Sequence, residues 1–202
     1  MLVFLKGLTL GLGMIVPIGA QNAFVLNRGI QRNYHLTAAA VCVVCDVALI
    51  ALGIYGGGEV MAGNALAMRV ITWGGVLFLL TYGALSLRTA LGGSAESSSA
   101  ARPAMGYRAV IAAALAVTLL NPHVYLDTVM ILGSVGNQYQ GPARTSFAAG
   151  TMLASSCWFL TLALVAAKMS DWLGQPAVQR SIAILVAMIM WAVALSLLLD
   201  LY

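Results

Sequence analysis

Two carboxylates, each inside an otherwise oily run, are the groups of this chain with the most chemistry in them. Asp46 stands in Val41-Cys42-Val43-Val44-Cys45-Asp46-Val47-Ala48-Leu49, and Asp127 in Asn121-Pro122-His123-Val124-Tyr125-Leu126-Asp127. The other acids, Glu59, Glu96, Asp171 and Asp200, fall in connecting segments or at the ends of apolar runs. A charge deep in hydrocarbon is costly, so such a residue must pair, bind a cation or carry a proton. Lys and Arg are scattered at the ends of apolar runs, with none in the middle of one. The two aspartates are therefore left without a counter-ion from the chain, and a cationic ligand or a proton must supply it.

Polar neighbours gather at two prolines. Pro17-Ile18-Gly19-Ala20 is followed by Gln21 and Asn22, and Pro122 is flanked by Asn121, His123 and Tyr125. Proline removes a backbone donor and crowds the preceding turn, and Gly19 weakens the helix further. A helix restarting after such a break offers free N–H groups and the positive end of its dipole to an anion. A plain kink, with the amides satisfied by neighbouring helices, is the competing reading for Gln21 and Asn22. His123 fits a hydrogen-bonded core histidine as well as a proton carrier. Aligning the prolines sets Asn22 opposite Asp127, five residues on in each case.

Other chemistries fit less well. Two Asp and one or two His could hold a divalent cation, but metal carriers use denser clusters, and Gln21, Asn121 and Tyr125 suit an organic ligand. No metal or cofactor is expected. Cys42, Cys45 and Cys157 lie in apolar runs with no second Cys pair or His beside them, and read as small packing residues. An enzyme would need a nucleophile with a nearby base, and no catalytic residue is assigned. Nothing resembles a nucleotide-binding loop.

The elements that must position these groups follow from composition. The chain is 61% hydrophobic and 8% charged, with a mean hydropathy of +0.95. A soluble domain keeps about a quarter of its residues charged, so the apolar surface of this one must face lipid. Stretches at about 2–27, 36–56, 68–89, 109–135, 145–167 and 180–200 each match the roughly 20 residues that span a bilayer as helix. They are too long for barrel strands and lack a two-residue alternation. The first run, which continues past Asn22, reads as a retained span rather than a leader peptide. The expected fold is an all-α integral membrane protein of about six helices, the first and fourth broken at proline.

A Gly/Ser/Ala linker over 92–108 separates a three-helix unit at 1–91 from another at 109–202. Ala84-Leu85-Ser86-Leu87 recurs as Ala194-Leu195-Ser196-Leu197. Because three is odd, a second copy enters the membrane from the other side, which makes the pair an inverted repeat. Arg28, Arg32, Arg88, Arg102, Arg108, Lys168 and Arg180 fall on one side, and Lys6, Arg69 and Arg144 on the other. The positive-inside rule puts the richer side in the cytoplasm and both termini outside. Scattered charges of this kind make no nucleic-acid surface. Gly7 with Gly11 and Gly53 with Gly57 allow close helix packing within one chain or between two copies, so a homodimer stays open.

Taken together, Pro17-Ile18-Gly19-Ala20-Gln21-Asn22-Ala23-Phe24-Val25, the central Asp46 and Asn121-Pro122-His123-Val124-Tyr125-Leu126-Asp127-Thr128 resemble the LysE-type basic amino acid exporters, in particular their arginine and lysine branch. The resemblance covers nearly the whole chain and departs at Ala20, where the family often has a second proline. It implies secondary active export of L-arginine or L-lysine across the bacterial inner membrane, powered by the proton gradient or the membrane potential. Because outward movement of a cation runs against an inside-negative potential, exchange for protons with alternating access is the expected mechanism. By the resemblance Asp46 and Asp127 would be the essential acids, with Gln21, Asn22, Asn121 and His123 around the substrate. The residues themselves add Tyr125 to that set and make the two aspartates the expected proton-coupling groups. A divalent-cation or neutral amino acid carrier of related build, or a non-transporting assembly subunit, are the alternatives.

Overall fold

The computed structural model describes residues 1–17, 19–56, 65–91, 105–173 and 175–199. Most of the linker (92–104), Ile18 and Gly57 lie outside them. Every regular element among the described residues is helical. In chain order these are α1 (Leu2–Ile15), α2 (Ala20–Ile30), α3 (His35–Ile54), α4 (Ala65–Leu91) and α5 (Tyr107–Leu119). Then α6 is a continuous helical stretch in three pieces, Pro122–Tyr125, a π-helical Leu126–Leu132, and Gly133–Asn137. It is followed by α7 (Gly141–Lys168), the short α8 (Ser170–Leu173) and α9 (Pro176–Leu199).

His35–Ile54, Gly141–Lys168 and Ala177–Leu199 are each long and apolar enough to cross a membrane. Two bent pairs pass the same test as single spans, α1 with α2 at 79° and α5 with α6 at 64°. The described residues thus hold three to five candidate spans. Val44, Leu77, Leu164 and Leu195 are each more than half exposed on the helix exteriors, a surface that lipid covers and water would not. The protein is an integral membrane protein.

The two bends are built differently. Val16 keeps helical backbone and donates to the Leu12 carbonyl, Pro17 follows in the gap, and Gly19 caps α2 in an extended conformation. At the second bend the chain restarts on a capping signal. Pro122 opens α6, where a missing N–H costs nothing, and the Asn121 side-chain oxygen accepts the His123 N–H at 3.2 Å.

The long α7 runs through the middle, packed on α1, α2 and α3, while α3 also meets α5 and α6, and α4 pairs with α9. Glycines set the closest approaches. Gly7 of α1 lies on the Phe147 backbone and Gly150 of α7 on the Phe4 backbone; Gly53 of α3 would place a Cβ 2.7 Å from Val129 Cα. Gly7, Gly11 and Gly53 are thus spent on packing inside one chain. Overpacking typically costs about 1–3 kcal/mol, and at Gly150 the obstacle is backbone that cannot rotate away. Gly150→Val should therefore strip the protein of its folded, monodisperse peak in detergent size-exclusion chromatography. Gly13→Ala, where a Cβ meets nothing within 4 Å, should leave that peak unchanged.

One end of the bundle collects the basic helix termini. Arg32 donates to the Ala167 carbonyl at 3.1 Å and pairs with Asp171 at 3.3 Å, and Tyr34 meets Tyr107 edge-on. At the other end Arg144 donates to the Ile54 carbonyl and to the Asn137 side chain and stacks over Tyr55. Arg28, just past the end of the first apolar run at 2–27, is still helical. It sits in the last turn of α2, 6% exposed, with its guanidinium over Phe24 one turn back.

Candidate functional site

A cavity of about 360 Å³ opens where the two bends face α3. Gln21 and Asn22 reach it from the first turn of α2, Asp46 from the middle of α3, Asn121 from the second bend, and His123 and Asp127 from α6. Residues separated by up to about half the chain's length are thus brought to one place, and they are six of the seven expected around a ligand. Tyr125 is not among the lining residues. Its ring is buried against Leu49, Val124 and Val129, and its hydroxyl donates to the Leu119 carbonyl at 2.8 Å, tying the end of α5 to α6.

Asp46 is 2% exposed. One of its oxygens accepts the Gln21 amide at 3.3 Å and the other the Ser155 hydroxyl at 2.8 Å. The Gln21 amide also donates to the Thr118 hydroxyl at 2.9 Å, which in turn donates to the Cys42 sulfur at 3.8 Å. Both described donors to this carboxylate are neutral. Asp127 is half-buried on the π-helical segment, with His123 one turn before it. A π-helical turn inserts an extra residue and re-aims the side chains that follow, a feature common at functional sites. Among the described residues the only ion pair is Arg32 with Asp171, so neither cavity aspartate is paired with a Lys or Arg there.

The start of α2 gives the same cavity an electropositive element. Gly19 gives α2 no side-chain cap, and the first helical bond runs from the Ala23 N–H to the Gly19 carbonyl. The N–H groups of Ala20, Gln21 and Asn22 therefore lack helical partners, and these residues line the cavity. A dipole end of this kind favours a carboxylate. The site thus offers acids for a cation and a helix N-terminus for an anion. Asp46, Asp127 and His123 share the cavity, but among the described residues no three His, Cys, Asp or Glu side chains stand close enough to hold a metal.

Asn22 does a second job. Its amide donates to the Ile15 and Pro17 carbonyls at 2.9 and 2.8 Å, and its oxygen accepts the Trp158 indole N–H at 3.0 Å. These are the carbonyls that the end of α1 leaves without helical donors, so Asn22 holds the bend to itself and to α7. Ser155, Thr118 and Trp158 were not singled out from the sequence. Ser and Thr inside membrane helices routinely bond the preceding turn, as Ser156 does to the Met152 carbonyl, and only the packing of α7 on α3 turns Ser155 to a carboxylate.

The family described as LysE type translocator matches residues 12–201. A putative amino-acid transporter, YggA of Aeromonas salmonicida, is 52% identical over 96% of this chain and 94% of its own length. The arginine exporter protein ArgO of Pectobacterium carotovorum is 48% identical over 96% of each chain. The ArgO of Yersinia enterocolitica is 47% identical over 96% of this chain and 95% of its own. No solved structure matches. The match in family and in length leaves one reading: the chain belongs to the LysE-type translocators.

Proposed function

We propose that this membrane translocator exports L-arginine, and L-lysine with it, across the bacterial inner membrane in exchange for protons. The observation that carries this reading is the pair of cavity acids that no described Lys or Arg neutralises. A basic amino acid brings two cationic groups and one carboxylate, which match Asp46, Asp127 and the bare N-terminus of α2. The arginine exporters among its relatives support the same substrate class.

Export of a net positive charge against an inside-negative potential costs about 2.3 kcal/mol per 100 mV. Exchange for an incoming proton cancels that charge movement and adds the pH gradient. In this mechanism an aspartate holds either the substrate cation or a proton, never both, so the emptied site returns protonated. Gln21 and Ser155 hold Asp46 in place, and His123 beside Asp127 relays protons.

Six spans in two inverted halves would provide alternating access, with α4 (27 residues) as the third span and the first and fourth spans broken at Pro17 and Pro122. The packing supports this arrangement. The α1–α7 contact, first span on fifth, is matched by α3 on α5 and α6, second on fourth; α3 with α7 and α4 with α9 pair like with like. Glycines line both members of the swapped pair.

The test is uptake of labelled amino acids by inverted vesicles, whose lumen corresponds to the cell exterior. An acid lumen should drive L-arginine and L-lysine inward, and nigericin, which collapses the pH difference, should stop it. Uptake that ignores nigericin would remove proton exchange, and uptake of leucine in place of arginine would overturn the substrate.

A further inference from the structure

A second cavity, of about 220 Å³, lies at the basic end of the bundle between α2, α4 and α9. Arg28, Gln31, Tyr82, Ser86 and Gln179 supply its polar lining, and Met105 and Ile182 part of its apolar wall. Its depth can be read from the helix ends. Arg28 is in the last turn of α2, Ser86 near the end of α4, Gln179 near the start of α9, and Met105 just ahead of α5. The cavity therefore sits where a bilayer places its phosphates, well away from the central acids.

Arg28 is more than nine-tenths buried, yet no acid among the described residues neutralises it. One guanidinium nitrogen donates to the Asn33 side chain at 3.2 Å, and Nε has no partner among the described residues. The single described acid at this end, Asp171, is engaged with Arg32. A guanidinium carries five donors in a fork suited to carboxylate or phosphate, and burying one without an anion is costly. The neighbouring side chains are neutral and able to donate, while the apolar wall suits glycerol and acyl carbons. Other basic helix ends at the same level (Arg88, Arg108, Lys168, Arg180) add to the attraction for a negative headgroup. The transported substrate proposed above is a poor occupant, because its net positive charge is repelled by Arg28.

We infer that the Arg28 cavity between α2, α4 and α9 is a binding site for a net-anionic phosphate group at the membrane boundary. The phosphate is that of a lipid headgroup or a free phosphate ion, and the site is separate from the transport cavity. Arg28 forms the charged contact, and Gln179 at the mouth adds a neutral donor.

Native mass spectrometry of the full-length protein, taken from micelles doped equally with phosphatidylglycerol and phosphatidylcholine, tests this directly. The wild type should retain phosphatidylglycerol about tenfold over phosphatidylcholine, the size of a charge-assisted contact. Arg28→Gln should abolish that preference. Gln179→Glu, at a half-buried position where folding is not at risk, should abolish it too by setting a carboxylate in the mouth. Displacement by millimolar inorganic phosphate would identify a free phosphate site, and resistance to it a headgroup site. Equal retention of both lipids by the wild type, or an undiminished preference in both variants, overturns the inference. So does displacement by L-arginine but not by phosphate, which would make the cavity a carboxylate subsite of the transport path. Because the readout is lipid retention, it stands or fails independently of whether the protein exports arginine.

Discussion

Asp46→Asn should abolish export of basic amino acids while leaving the protein inserted, folded and at least as heat-stable as the wild type. The side chain is nearly isosteric, and its neighbours, the Gln21 amide and the Ser155 hydroxyl, can each rotate to serve an amide. Removing a charge that no described residue balances relieves a desolvation cost, so the melting temperature should hold or rise. Losing one partner of a buried charged contact costs about 2–5 kcal/mol in binding, which is a fall of thirtyfold or more in transport at limiting substrate. Reconstituted vesicles and a thermal melt on the same preparation check both halves. A variant that exports normally would remove Asp46 from the mechanism, and one that melts far below the wild type would make it a structural residue.

The second large effect belongs to Asn22. Asn22→Leu keeps the branched shape but leaves the Ile15 and Pro17 carbonyls and the Trp158 N–H without their partner. A buried polar group left unpaired costs about 1–3 kcal/mol, so three of them should lower the melting temperature markedly and stop transport. Asn22→Asp separates this role from that of a substrate ligand. An aspartate cannot donate to two carbonyls and would repel them, so it should be as damaging as leucine. If Asn22 instead served mainly to bind the substrate cation, the added negative charge would tighten binding of arginine without harming stability.

How far the sequence discloses the site depends on which cost marks a residue. Asp46 and Asp127 stand out because a carboxylate in hydrocarbon has few excuses, and the proline-flanked strings stand out because they interrupt apolar runs. These marks led to one cavity. Ser155 and Thr118 carry no such mark, since a hydroxyl in a membrane helix is satisfied by its own backbone, and its partner is fixed only when α7 packs on α3. Asn22 and Tyr125 show the reverse problem. Both read as ligand side chains, yet a bent helix exposes carbonyls that need donors, and Asn22 and Tyr125 are partly or wholly occupied by that need. Arg28 follows the first apolar run, where basic residues usually mark the end of a span. Its place over Phe24 depends on α2 continuing past the apolar run, which periodicity does not resolve at a helix end.

The family assignment and the cavity agree on a translocator, and the claim on which the mechanism rests is that the cavity selects its ligand by positive charge. Calorimetric titration of the purified protein with L-arginine and with L-citrulline, which has nearly the same shape but a neutral side chain, tests it most directly. The account predicts binding of arginine at least about tenfold tighter than citrulline, with that margin erased in Asp46→Asn. Equal affinity of the wild type for both ligands, or an unchanged margin in Asp46→Asn, would contradict it.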